Sequence, residues 1–318
     1  MRAESAIVDI ARDFLAVHRE LRRIAGQQSA GALSFDEVRR FVGDDERSVL
    51  YRLKERCHAL FRSGSADGQI EIGASALFDL AVGSLFHEAM KLRENLYQSA
   101  VYAPKVAALR GSGVADASGL LREFDKIVND ARQRLAESVA ESRVLLGQTT
   151  TQFRVLLRSY SANGTLARFL VEQSEQLAEA FACSPDEALA DLHGSVGAAW
   201  RRAAWSYLAS GFFAETGRAL AEAEKHGEPA SELARQRAFA DGMSAYLAGD
   251  YDAAISRIAA FADAELSAEE RRLAPLAASA MTRVRKFVAA DAALAERAAG
   301  LAERLRALSA NSEAAPRA

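Results

Sequence analysis

Proline occurs five times in 318 residues, and the apolar side chains between the prolines return every three or four positions. Proline stops a helix because it lacks an amide proton and collides with the preceding turn, so a chain nearly free of it keeps the helical option open over long stretches. The spacing uses that option. Recurrence in threes and fours gathers apolar groups on one face of a helix, whereas a half-buried strand needs alternation in twos. Ile7, Ile10, Phe14, Val17, Leu21 and Ile24 form one such stripe. Alanine, leucine, arginine and glutamate dominate the remainder and lose little freedom in a helix. One short string, Gln-Ile-Glu-Ile at 69–72, has strand character. The expectation is an all-α chain.

Punctuation divides this pattern. Gly26 is expected to close the first helix. Ser34, with Glu37 three residues on, reads as a capping box for a short helix ending near Val42. Gly43, Asp44 and Asp45 make a turn into a helix over about 46–61, and the polar string at 63–69 reads as a loop. Two long amphipathic stretches follow, about 74–109 and 118–148, joined by a short Gly-Ser-Gly loop at Gly111. A short loop between long helices predicts an antiparallel hairpin. Pro104 is expected to kink or end the first of them. With the first helix this makes an N-terminal helical bundle over 1–160. The string Ser-Tyr-Ser-Ala-Asn-Gly-Thr at 159–165 breaks the pattern and marks a boundary. A second helical domain is placed at 161–310 and a frayed polar tail at 311–318. Within it, Ser184, Pro185 and Glu187 mark a helix start.

Two segments of the second domain align on their glycines, one beginning at Trp200 and the other at Ala238, with Gly211 and Gly249 about 38 residues apart. In the second segment Gly242 is the small residue where two helices would meet, Gly249-Asp250-Tyr251 is a tight turn, and Ala254 is small on the following helix. Trp200 and Tyr207 are large aromatics on the first helix of their segment, while Ala204 and Thr216 stand at its small positions. This pattern resembles the tetratricopeptide repeat, a helix hairpin that stacks into arrays burying a continuous core. The stretch 266–290 has the length of a third unit without its pattern. The resemblance implies a groove built from the first helix of each hairpin, here Arg201, Trp205, Leu208, Phe239, Met243, Tyr246 and Leu247. Such a groove takes a protein partner, as a peptide or an amphipathic helix. Of the positions with which some family members clamp a terminal carboxylate, matched by Arg201, Trp205, Phe239 and Met243, only Arg201 is cationic. Two packings satisfy the same residues: a repeat array with a groove, or a plain bundle in which the aromatics are core.

Other chemistry finds little support. Forty basic and 43 acidic residues are interspersed, giving a formal net charge of -3, unlike the one-sided basic field of a nucleic-acid binder. The segment 34–61 has the length of a helix-turn-helix, with Arg47, Arg52, Lys54 and Arg56 on its second helix and 69–73 as a possible wing. Asp44, Asp45 and Glu46 would repel phosphates there, so DNA-binding regulation is the alternative reading. Cys57 and Cys183 are too few and too distant for a disulfide framework or a zinc knuckle. Glu55 and His58 share a helix face without a matching pair elsewhere, His87 and Glu88 are adjacent and diverge, and His193 lacks a nucleophile motif. No catalytic residue, cofactor or metal is expected. Charges interrupt the N-terminus, and no run reaches the roughly 20 apolar residues that span a bilayer, so the expected location is cytoplasmic. The long helices are candidates for self-association.

Overall fold

The computed structural model describes residues 2–29, 31–67, 71–111, 118–263 and 266–313, and among these the chain is all-α. In chain order the helices are α1 (Arg2–Ser29), α2 (Phe35–Phe41), α3 (Val49–Asp67), α4 (Glu71–Gly111), α5 (Ser118–Ser159), α6 (Gly164–Glu172), α7 (Ser174–Phe181) and α8 (Pro185–His193). They continue as α9 (Val196–Ala209), α10 (Phe213–Lys225), α11 (Ala230–Ala248), α12 (Tyr251–Ala262), α13 (Ala268–Arg271), α14 (Ala274–Phe287) and α15 (Ala292–Glu313). Two compact units result, Met1–Ser161 with Ser174–Ala188, and Ala162–Gln173 with Leu189–Ala318.

In the first unit α4 and α5 run antiparallel: Thr149 reaches the carbonyl of Ala81, Asn95 donates to Ser138, and Arg110 pairs with Asp125, so position falls along one helix as it rises along the other. The stripe of α1 packs against this pair through aromatic rings. Phe14 stacks on Phe153 with centroids 4.0 Å apart, and Phe78 and Phe181 close on Phe153 at 5.6 and 6.3 Å. Offset and edge contacts of this kind add to the burial of the rings themselves.

Several helices run past the ends the sequence marks, although α3 starts at Val49 rather than near 46. α1 continues through Gly26, because one helical glycine costs only about 1 kcal/mol and the flanking stripe is buried. α3 runs past Phe61 to Asp67, absorbing most of the expected loop, whose last two positions lie outside the described residues. α4 passes through Pro104 to Gly111. Tyr102 packs on Phe124 before the proline and Arg110 pairs with Asp125 beyond it, which holds both halves to α5. α5 reaches Ser159. The strand-like string does not form a strand at Glu71 and Ile72, which begin α4; Gln69 and Ile70 lie outside the described residues. Local polar signals were sound: Ser34 and Glu37 exchange both capping bonds, as do Ser184 and Glu187.

In the second unit consecutive helices pack in pairs, α9 with α10, α11 with α12 and α14 with α15, and α6 lies on α9. Gly211 and Gly249 adopt φ of 80° and 81°, the left-handed turn that ends a helix without a Cβ penalty. Asp250 then caps α12 by accepting from the amide of Ala253. The third pair occupies 274–313 rather than 266–290. Phe213, Phe239, Phe261, Ile258 and Met281 lie in one core.

Candidate functional site

The second unit opens a cleft of about 570 Å³ beside α9 and the first turns of α11. Its position follows from two local devices. Ser195 caps α9 by accepting from Ala198, and Gly164 lets α6 approach, since a Cβ there would stand 3.2 Å from the carbonyl of Arg202. The following turn of α9 carries Arg201, Arg202 and Trp205 to the cleft wall. Pro229 starts α11, whose first turns bring Glu232, Arg235 and Gln236 to the opposite side.

Ion pairs hold these side chains. Arg201 Nη1 lies 2.8 Å from Glu228 and 2.7 Å from Glu232. Arg235 lies 3.2 Å from Glu270, whose buried carboxylate also accepts from the amide of Ser267. Arg202 donates to the carbonyl of His193 at 3.1 Å and lies 3.3 Å from its Nδ1. Behind the wall, the Tyr207 hydroxyl donates to Glu172 at 2.6 Å; burial and that carboxylate push the phenol up to about 12. Gln236 is 5 % exposed, and its buried Oε1 has no hydrogen-bond partner. A buried amide oxygen left unpaired costs about 1–3 kcal/mol, so it favours whatever brings it a donor. The lining combines paired charges and an aromatic face, which suits recognition of a polar chain.

The seven residues expected to line a groove separate. Arg201 and Trp205 do line the cleft. Leu208, Phe239 and Met243 lie in the core, where Phe239 meets Phe261 edge-on with centroids 5.0 Å apart; they are covered and line no groove. Tyr246 is half-buried against that core, and Leu247 is 70 % exposed. Arg202, Arg235 and Gln236 were missed. Arg202 was within reach, since Arg201, Arg202 and Trp205 share one turn of helix; Arg235 and Gln236 were not, since they precede Ala238, where the aligned segment begins.

The segment 34–61 uses its basic residues inside the first unit. Arg56 lies 2.8 Å from Asp13 of α1 and donates to the carbonyl of Asp9, Arg52 reaches Asp13 at 3.4 Å, and Lys54 sits 4.8 Å over the ring of Phe86. Three of the four cations of the supposed recognition helix thus face protein rather than phosphate. His58 meets Asp79 at 3.3 Å, and Glu55 meets Lys54 at 3.4 Å. Among the described residues no cluster of three His, Cys, Asp or Glu side chains is placed to hold a metal ion, and no helix is long and apolar enough to cross a membrane. No family model matches the chain, and no curated protein and no solved structure is significantly similar to it.

Proposed function

We propose that this chain is a non-catalytic interaction protein that holds a segment of a partner protein in the cleft of its second unit, in the manner of tetratricopeptide-like hairpins. The observation that carries this reading is the cleft itself: one aromatic face at Trp205, guanidinium groups fixed by carboxylates, and Gln236 in the lining. The Trp205 face takes an apolar side chain of an extended peptide, and the polar groups around it take the peptide's own polar groups. The apolar groove for an amphipathic helix is not part of this proposal, because Leu208, Phe239 and Met243 are covered. Cytoplasmic location belongs to the same reading. So does self-association through α4 and α5, whose surfaces expose Leu77, Leu80, Leu120 and Val144.

The test compares partner capture from native lysate by the wild-type protein, by Trp205→Ala with Gln236→Leu, and by Leu247→Ala. The reading expects a defined partner that the double substitution loses and Leu247→Ala keeps. A captured set that ignores the cleft substitutions overturns it.

A further inference from the structure

The first unit holds a cleft of about 480 Å³, walled by His18 and Arg22 of α1, Arg143, Thr150 and Arg154 of α5, and Glu179 of α7. Arg143, Gly147, Thr150 and Arg154 stand at i, i+4, i+7 and i+11 along α5, which places them on one helix face. The volume is that of a small-molecule site.

Charge in this cleft is one-sided. Three guanidinium groups meet one carboxylate, that of Glu179, which pairs with Arg22 at 3.0 Å. Guanidinium stays charged at any physiological pH. Arg143 and Arg154 therefore leave two positive charges, and among the described residues no carboxylate stands within ion-pair distance of either. Arg154 is also preorganised. Its Nη2 donates to the carbonyl of Phe181 at 2.7 Å, its plane lies 4.2 Å over the Phe181 ring, and its buried Nε has no partner. Gly147 keeps the helix face between the two arginines open: nothing lies within 4 Å of where its Cβ would be.

We propose that this cleft binds a small molecule carrying a phosphate monoester. A monoester has close to two negative charges near neutral pH, which matches the two positive charges that Arg143 and Arg154 leave in the cleft, and it offers oxygens to a planar guanidinium fork. A monocarboxylate leaves one charge uncompensated. The half-buried imidazole of His18 lies beside the bound anion.

Isothermal titration on the full chain tests this, with glycerol 3-phosphate, succinate and a phosphoserine peptide at matched ionic strength. Two variants accompany the wild type, Arg143→Gln and Gly147→Met; both positions are exposed, and methionine at 147 enters open space. The expected result is saturable binding of glycerol 3-phosphate, weakened about tenfold by Arg143→Gln and lost in Gly147→Met, with unchanged thermal unfolding of the unliganded variants. Equal binding of succinate overturns the phosphoryl assignment. A phosphoserine peptide that binds more than about tenfold tighter than glycerol 3-phosphate overturns the small-molecule assignment in favour of a partner chain. Absence of heat with every probe, or binding that both variants leave intact, overturns the site itself.

Discussion

A methyl group on Gly242 of α11 would stand 2.6 Å from Cγ1 of Ile258 and 3.2 Å from the Ile258 backbone nitrogen on α12. The helices approach this closely because there is no Cβ between them, and Ile258 fills the notch. Gly217, inside α10, has nothing within 4 Å of its would-be Cβ. The two glycines should therefore respond oppositely to alanine. Overpacking at 242 costs about 1–3 kcal/mol, of which the gain in helix propensity returns at most about 1 kcal/mol, so Gly242→Ala destabilises. Gly217→Ala stabilises by roughly 0.5–1 kcal/mol. Urea unfolding of both variants measures the contrast; the same sign at both sites would contradict the close approach.

Gln236 predicts a conflict between stability and binding. Its Oε1 is buried without a partner, and leucine has a similar volume. Gln236→Leu should raise the unfolding free energy by roughly 1 kcal/mol while losing partner capture. A variant less stable than the wild type would mean that the amide is satisfied in the folded protein.

Acid should weaken the cap of α2. Glu37 is drawn down to about 2, chiefly by the side chain of Gln27 and then by the backbone and hydroxyl of Ser34, with Arg23 adding to it. A depressed carboxylate stabilises fully above its ordinary value of 4.5, and that contribution disappears as pH falls toward 2. The stability difference between wild type and Glu37→Gln should be constant above pH 4.5 and shrink below it. Denaturant unfolding at stepped pH reads this directly.

His18 acts in a higher window. Burial, with Arg22 beside it, holds the imidazole below its ordinary 6.5, against a smaller opposing pull from Glu179. The unfolded chain then takes up the proton more readily, so stability should fall as pH drops below 6.5. His18→Gln should flatten the pH profile in that window and leave the Glu37 window unchanged.

The two thiols should differ in access. Cys57 is buried, and burial with Asp79 and Asp13 nearby pushes its thiol well up; Cys183 is partly exposed. Native protein should react with a thiol reagent at one site, identified by mass spectrometry as Cys183, and unfolded protein at two. Rapid native labelling of Cys57 would contradict its packing.

What short-range chemistry dictates was legible in the chain. Apolar recurrence specifies helix, Ser34 with Glu37 and Ser184 with Glu187 specify helix starts, and Gly211 and Gly249 take the left-handed turns their neighbours require. Each depends on residues within a turn or two. Helix lengths were less legible: Gly26 and Pro104 are local stop signals, but packing against distant helices outweighs a cost of a few kcal/mol. The site was the least legible part. Trp205 and Phe239 carry the same apolar signal on equivalent helices, yet Phe239 is covered by Phe261 of α12 while Trp205 borders a cleft. The charges of that cleft come from stretches far apart, Arg201 with Glu232 and Arg235 with Glu270. Periodicity determines that a side chain faces a neighbouring helix, but only the tertiary structure decides whether that neighbour closes over it, because burial depends on residues the local pattern does not contain.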